Sequence, residues 1–168
     1  SVISQAPAVV EPGTTGTGAT GTAPYLVVLG IAQDAGYPQA GCQKSCCLRV
    51  WSDPRKRRHA ACLAIIDPTS RQRWLVECTP DFREQFHRLN TISPAKDRVG
   101  LDGILLTHAH IGHYTGLMHL GREVMGADRV PVYAMPRMKR FVENNGPWSQ
   151  LVTAQNIAIT EIADGQKF

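Results

Sequence analysis

Long apolar runs are missing from this sequence of 168 residues. Stretches such as YLVVLGIA at 25–32 fall far short of the roughly 18–20 residues that a membrane span requires, so none is expected. Excess charge of one sign is also scarce. The formal net charge is +4, and much of it sits in one block, Arg55, Lys56, Arg57 and Arg58, so the molecule as a whole does not read as a nucleic-acid binder. Five cysteines make an odd set, three of them crowded into GCQKSCC, which argues against a simple disulfide ladder and leaves the redox compartment open. The chain begins with Ser1 rather than Met, which leaves localisation open between export to the periplasm and the cytoplasm. What remains is an ordinary globular composition, 43% hydrophobic and 19% charged, of about one domain's length.

Residues 1–24 are rich in Gly, Thr, Ala and Pro without hydrophobic periodicity, and such a segment buries too little apolar surface to offset its ordering entropy. A flexible linker or tail is expected there. From Tyr25 onward the chain turns to short Val/Ile/Leu-rich runs bounded by Gly, Pro and Asp, which read as strands of a layered α/β fold: YLVVLGIA, ACLAIID at 61–67, RWLVEC at 73–78, LDGILL at 101–106, VPVYAM at 130–135 and NIAIT at 156–160. DPTSRQ at 67–72 reads as a hairpin loop. Helices are expected in TPDFREQFHRL, with Thr79 as cap, Pro80 at the first helical position and Phe82, Phe86 and Leu89 buried, in GLMHLGREVMG on Leu117, Leu120 and Val124, and in PRMKRFVENNG. Asp164-Gly165 is a hairpin-turn signal near the last residue, so we expect residues 25–168 to be the N-terminal part of a larger domain, inactive by itself.

The chemistry concentrates in LTHAHIGHYTGL. On a helix, residues two apart lie about 200° around the axis, so His108 and His110 could not share an ion. On an extended backbone at a strand's end they project to the same side, and a turn through Gly112 can bring His113 to a neighbouring position. Neutral imidazoles converging there favour Zn, Fe or Mn, with ligands still needed from elsewhere. His59, His87 and His119, each alone, read as surface residues.

THAHIGHYTGL resembles the His-x-His-x-Asp-His signature of the metallo-β-lactamase superfamily. Within it the chain is similar to the pyrroloquinoline quinone biosynthesis protein B family, through VLGIAQDAGYPQAGC, RRHAACLAI, ECTPDFREQF and HAHIGHYTGL in the same order. The resemblance implies an αββα sandwich with the metal site at one edge. His108 and His110 would bind a first metal, and His113 with an aspartate at position 112 would bind a second. Here position 112 is glycine. The implied function is a metal-dependent hydrolase of a small-molecule substrate, its oligomeric state open. The alternatives are a non-catalytic metal-binding domain with a degenerate second site, or a phosphodiesterase or nuclease.

Cys42, Cys46 and Cys47 lie in a segment punctuated by Gly36, Pro38 and Gly41, and form a candidate structural zinc set beside the alternative of ordinary loop cysteines. The similar family carries a cysteine-rich zinc site in this region. Cys62 and Cys78 fall in apolar strands and read as inert core residues. Asp34 and Asp81 follow strands, where sites of layered α/β folds gather, and are the candidate catalytic carboxylates; Asp81 is explained equally well as a helix N-terminal charge. The basic run 55–58, with no aromatic residues interleaved, reads as a solvated loop rather than a phosphate-backbone site.

Overall fold

The computed structural model describes residues 21–96 and 99–167, so nearly all of the expected linker at 1–24 lies outside the described residues. Six strands form one sheet in sequence order: β1 (Tyr25–Gly30), β2 (Cys62–Asp67), β3 (Gln72–Val76), β4 (Gly103–Leu106), β5 (Val130–Ala134) and β6 (Ile157–Glu161). β1, β2 and β3 pair antiparallel, joined between the second and third by the expected hairpin, and β3 to β6 run parallel. The crossovers carry helices α2 (Phe82–Ile92), α3 (Pro136–Asn144) and α4 (Trp148–Thr153), as parallel strands require. A further short helix, α1 (Ser45–Trp51), lies between β1 and β2.

The period-two alternation in these strands sorts their side chains onto two unlike faces. On one, Ala64, Ile66, Leu75, Ile104, Leu106, Val132 and Ala134 are buried beneath Phe82 and Leu89 of α2, Leu117 and Leu120, Met138 and Val142 of α3, and Leu151 of α4. On the other, Leu26 and Val28 of β1 are 64% and 50% exposed, and the pairing register sets them beside Ile65 and Leu63, and through these beside Trp74 and Val76. The α/β class expected from the sequence is borne out. Of the two sheets of an αββα sandwich, the described residues build one, with helices on one face and apolar side chains on the other.

Three local expectations are corrected. Pro80 precedes α2 instead of opening it, and the hydroxyl of Thr79 accepts from Asp81 N at 3.1 Å as part of the turn leading in. The GLMHLGREVMG segment is not an α-helix: a 3₁₀ helix spans Thr115–Leu120, the chain then turns, and Val124 is 56% exposed. The cause is a close backbone approach. Gly116 N donates to Cys78 O at 2.9 Å, and a Cβ at residue 116 would fall 2.2 Å from Thr79 O, so the segment is drawn against the end of β3 where a regular helix does not fit. Finally, α1 and α4, in QKSCCLRVW and PWSQLVT, were not expected; each has only two turns or fewer, too short for periodicity to reveal.

Candidate metal centre

β3 and β4 run parallel with Val76 opposite Leu105, so their C-terminal ends lie side by side, the place where open α/β sheets gather their sites. After Leu106 the chain runs through residues 107–109 without regular structure to an extended His110 (φ −68°, ψ 136°) and then makes a 3₁₀ turn over Ile111–His113, closed by His113 N donating to His110 O at 2.9 Å. That is the geometry expected from the alternation. The ring centroids of His108 and His110 are 4.7 Å apart and those of His108 and His113 4.1 Å. His108 Nε2 stands 3.1 Å from His110 Nδ1. Cys78 N donates to His113 O at 2.9 Å, which fastens this loop to the end of β3.

Two further residues of the site escaped the sequence reading. Glu77 follows β3 directly and is buried, with a backbone φ of +76°, a left-handed conformation that costs a non-glycine residue free energy and is held only where the surroundings impose it. The hydroxyl of Thr107 donates to Glu77 Oε1 and lies 2.7 Å from His108 Nδ1. With its proton committed to Glu77, the hydroxyl can only accept from His108, which places the imidazole proton on Nδ1 and the lone pair on Nε2, facing His110 Nδ1. Glu77 Oε1 is also 3.6 Å from His113 Nδ1. Glu77 Oε2 and His113 Nδ1 are both buried without a hydrogen-bond partner, a costly state for a carboxylate and an imidazole. One ligand atom from each of Glu77, His108 and His113 lies within 4.8 Å of the other two. Unpartnered nitrogen and oxygen donors converging at a strand end fit a divalent ion such as Zn, Fe or Mn. Replacing Glu77 by glutamine keeps the shape but removes the charge behind two histidines; metal affinity, measured by competition with a chromophoric chelator, is expected to fall about 10–100-fold.

Asp34, on the loop after β1, reaches the same place: its Oδ1 is 2.7 Å from His113 Nε2 and its Oδ2 is 3.8 Å from His110 Nδ1. Asp81 does not. Its Oδ2 accepts from Ala60 N at 2.7 Å and lies 3.7 Å from His59 Nδ1, so its contacts tie the start of α2 to the strand beside it. A cavity of 680 Å³ is lined by Asp34, Gln33, Tyr37, Lys44 and Arg58 together with all three cysteines of the cluster.

Those cysteines also converge, though on a different scaffold from the loop expected: Cys42 is in the loop, whereas Cys46 and Cys47 open α1, with their sulfurs 4.0 Å apart. All three ligand atoms lie within 4.8 Å of one another. The backbone amide of Lys44, and then the neighbouring Cys47 thiol, hold the Cys42 thiol below its usual range, toward the thiolate that metals bind. Cys62 and Cys78 are buried as expected, and burial pushes Cys62 up to about 12 and Cys78 well above its usual value, so both stay protonated and inert.

In the basic run, Arg55 pairs with Asp53 at 2.8 Å, Arg58 donates to the carbonyls of Arg55 and Arg57, and Arg57 lies over the ring of Trp51 at 5.6 Å. The aromatic partner comes from α1, outside the run itself. His119 stacks on Phe82 at 5.5 Å, and burial lowers its pKa, as suits a packing role.

Comparison with known proteins agrees with this fold. The family described as "Beta-lactamase superfamily domain" matches residues 72–168, more than half of the chain and all of β3 to β6 with the histidine loop. The chain belongs to the metallo-β-lactamase superfamily. The crystal structure of Zn²⁺-bound PqqB from Methylobacterium extorquens is similar with a TM-score of 0.71 and 25% identity, over 85% of this chain and 50% of that one. A diphosphatase of the PhnP family is similar with a TM-score of 0.60 and 27% identity, over 83% of this chain and 50% of that one. An octanoyltransferase of Porphyromonas gingivalis (strain ATCC BAA-308 / W83) is 34% identical over 108 residues, 64% of this chain but only 20% of that protein. The chain thus spans about half the length of the similar structures, and a third or less of the curated relatives it matches.

Proposed function

We propose that this chain supplies the metal-holding half of a hydrolase of the PqqB-like branch. The observation that carries the reading is the pair of buried, unpartnered atoms Glu77 Oε2 and His113 Nδ1 in a cluster where Glu77, His108 and His113 each offer a ligand atom within 4.8 Å of one another. His108, His110 and His113 would hold the ion, and a bound divalent metal would polarise the substrate and lower the pKa of a bound water toward about 7. The chain's own residues do the rest. Thr107 and Glu77 fix the tautomer of His108, Glu77 sets a negative charge 3.6 Å from His113 Nδ1, and the tie from Cys78 to the loop keeps the three rings from relaxing apart when no ion is bound.

The cavity beside Asp34 has the size of a small-molecule site, and Lys44 and Arg58 in its wall would favour an anionic substrate. A second, structural zinc is proposed at Cys42, Cys46 and Cys47, whose spacing at the first turn of α1 leaves a fourth position to another ligand. The apolar face carrying Leu26, Val28, Ile65 and Trp74 is proposed to receive the second sheet of the sandwich, making residues 25–168 the N-terminal portion of the domain. Elemental analysis and a panel of phosphodiester, phosphoanhydride and carboxylic-ester substrates test the main reading on the full-length protein. Bound metal with chelator-sensitive hydrolysis of at least one substrate class is expected. Metal-free protein, or hydrolysis that survives chelation unchanged, would overturn it.

A further inference from the structure

Gly112 is buried, yet its backbone is not in the left-handed region, so conformational freedom does not explain a glycine there. Space does. A Cβ at residue 112 would fall 2.9 Å from both Cα and Cβ of Asp34, closer than real Cβ atoms come, and a tight 3.1 Å from Ala35 N. The absent side chain is therefore filled by the β1–α1 loop, and the residue that loop presents is a carboxylate.

That loop is built to hold its position. Ala35 and Gly36 both take positive φ, +71° and +87°, and Gly36 N donates to Gln33 O at 3.1 Å, a tight turn that swings Asp34 toward the histidines. Tyr37 N donates to Arg58 O at 2.8 Å and Ala32 N to His59 O at 2.9 Å, anchoring the loop on either side. The two oxygens of Asp34 then face two different imidazoles, His113 Nε2 at 2.7 Å and His110 Nδ1 at 3.8 Å.

We infer that Asp34 is itself a metal ligand, a carboxylate delivered from the β1–α1 loop into the space that Gly112 leaves open. This rests on the proposed metal centre at the three histidines and extends it. The two positions are coupled: a side chain at 112 and the present course of the Asp34 loop exclude each other. The missing carboxylate at 112 is then a relocation of the ligand rather than the loss of one.

The test uses full-length Asp34→Asn, which keeps size and removes the charge, with zinc affinity read by chelator competition and cobalt substitution read by its visible spectrum. Affinity is expected to weaken by about tenfold or more, with a changed cobalt band pattern, while the far-UV circular dichroism and melting temperature stay close to wild type. Gly112→Asp with Asp34 retained is expected to weaken zinc binding as well, because the new side chain displaces the loop. Unchanged affinity and spectrum in Asp34→Asn, with binding still lost in a His108→Ala, His110→Ala protein, would overturn this assignment alone. So would a gain of bound metal in Gly112→Asp. Full metal binding in the double histidine variant would instead remove the metal centre on which the assignment rests.

Discussion

A protein carrying both His108→Ala and His110→Ala should fold normally and emerge from purification without the ion of the histidine centre. Both side chains are exposed and outside the hydrophobic core, so their removal is expected to change stability by no more than about 0.5 kcal/mol. Their rings contact each other and His113, and beyond that His108 meets Thr107 and His110 meets Asp34. An arrangement of this kind gains its free energy when an ion arrives, and removing two of three nitrogen donors leaves too few ligands to compete with water. Hydrolysis that depends on the ion should fall on the order of 10³-fold or more, because the nucleophile reverts to ordinary water. Elemental analysis beside a thermal melt checks both halves, and a variant that retains the full metal content would refute the centre. If the cysteine set also binds zinc, that equivalent should persist, which allows the two sites to be counted separately.

The histidine loop was legible in the sequence because its geometry is local: alternation at a strand's end followed by a turn is a statement about six consecutive residues. The strands were legible for the same reason, each being a short apolar run with its own punctuation. Glu77 was not. A single acid after RWLV reads as the last residue of a strand, and only the parallel pairing of β3 with β4 shows that it ends beside Thr107 and the histidines. A charged residue closing an apolar strand is a signal that could have drawn attention to it. Asp34 could be suspected from its place after β1, but its tie to His113 joins residues 79 positions apart, and the reason for glycine at 112 appears only once that loop is in place. The GLMHLGREVMG segment misled in the opposite direction, since its apolar spacing is helical and the constraint that prevents a helix, the approach of Gly116 to Thr79, is a tertiary one.

The same strand that delivers Glu77 carries a second buried charge at its other end, and replacing it should uncouple stability from chemistry. Arg73 is 2% exposed on the helix-covered face of the sheet. Its guanidinium donates to the carbonyls of Gly100 and Ser93 and to Asn90 Oδ1 at 2.9 Å, and it lies 5.9 Å from the ring of Phe86, so one side chain holds the end of α2 and the approach to β4 against β3. Methionine in its place would fill much of the volume but leave those oxygens buried without their donors. Arg73→Met is expected to cost about 3–5 kcal/mol, lowering the melting temperature by on the order of 10 °C. Below that transition the metal centre should be unaffected, since Arg73 and Glu77 occupy opposite ends of β3 and the ties between β3, β4 and the histidine loop run through Glu77 and Cys78. A melt with and without zinc measures both effects: the zinc-induced rise in melting temperature should match that of the wild type although the baseline is lower. A variant with wild-type stability would show that the Arg73 hydrogen bonds do not hold α2 and β4 in place. One that loses zinc binding while still folded would show that β3 transmits strain along its length to the site.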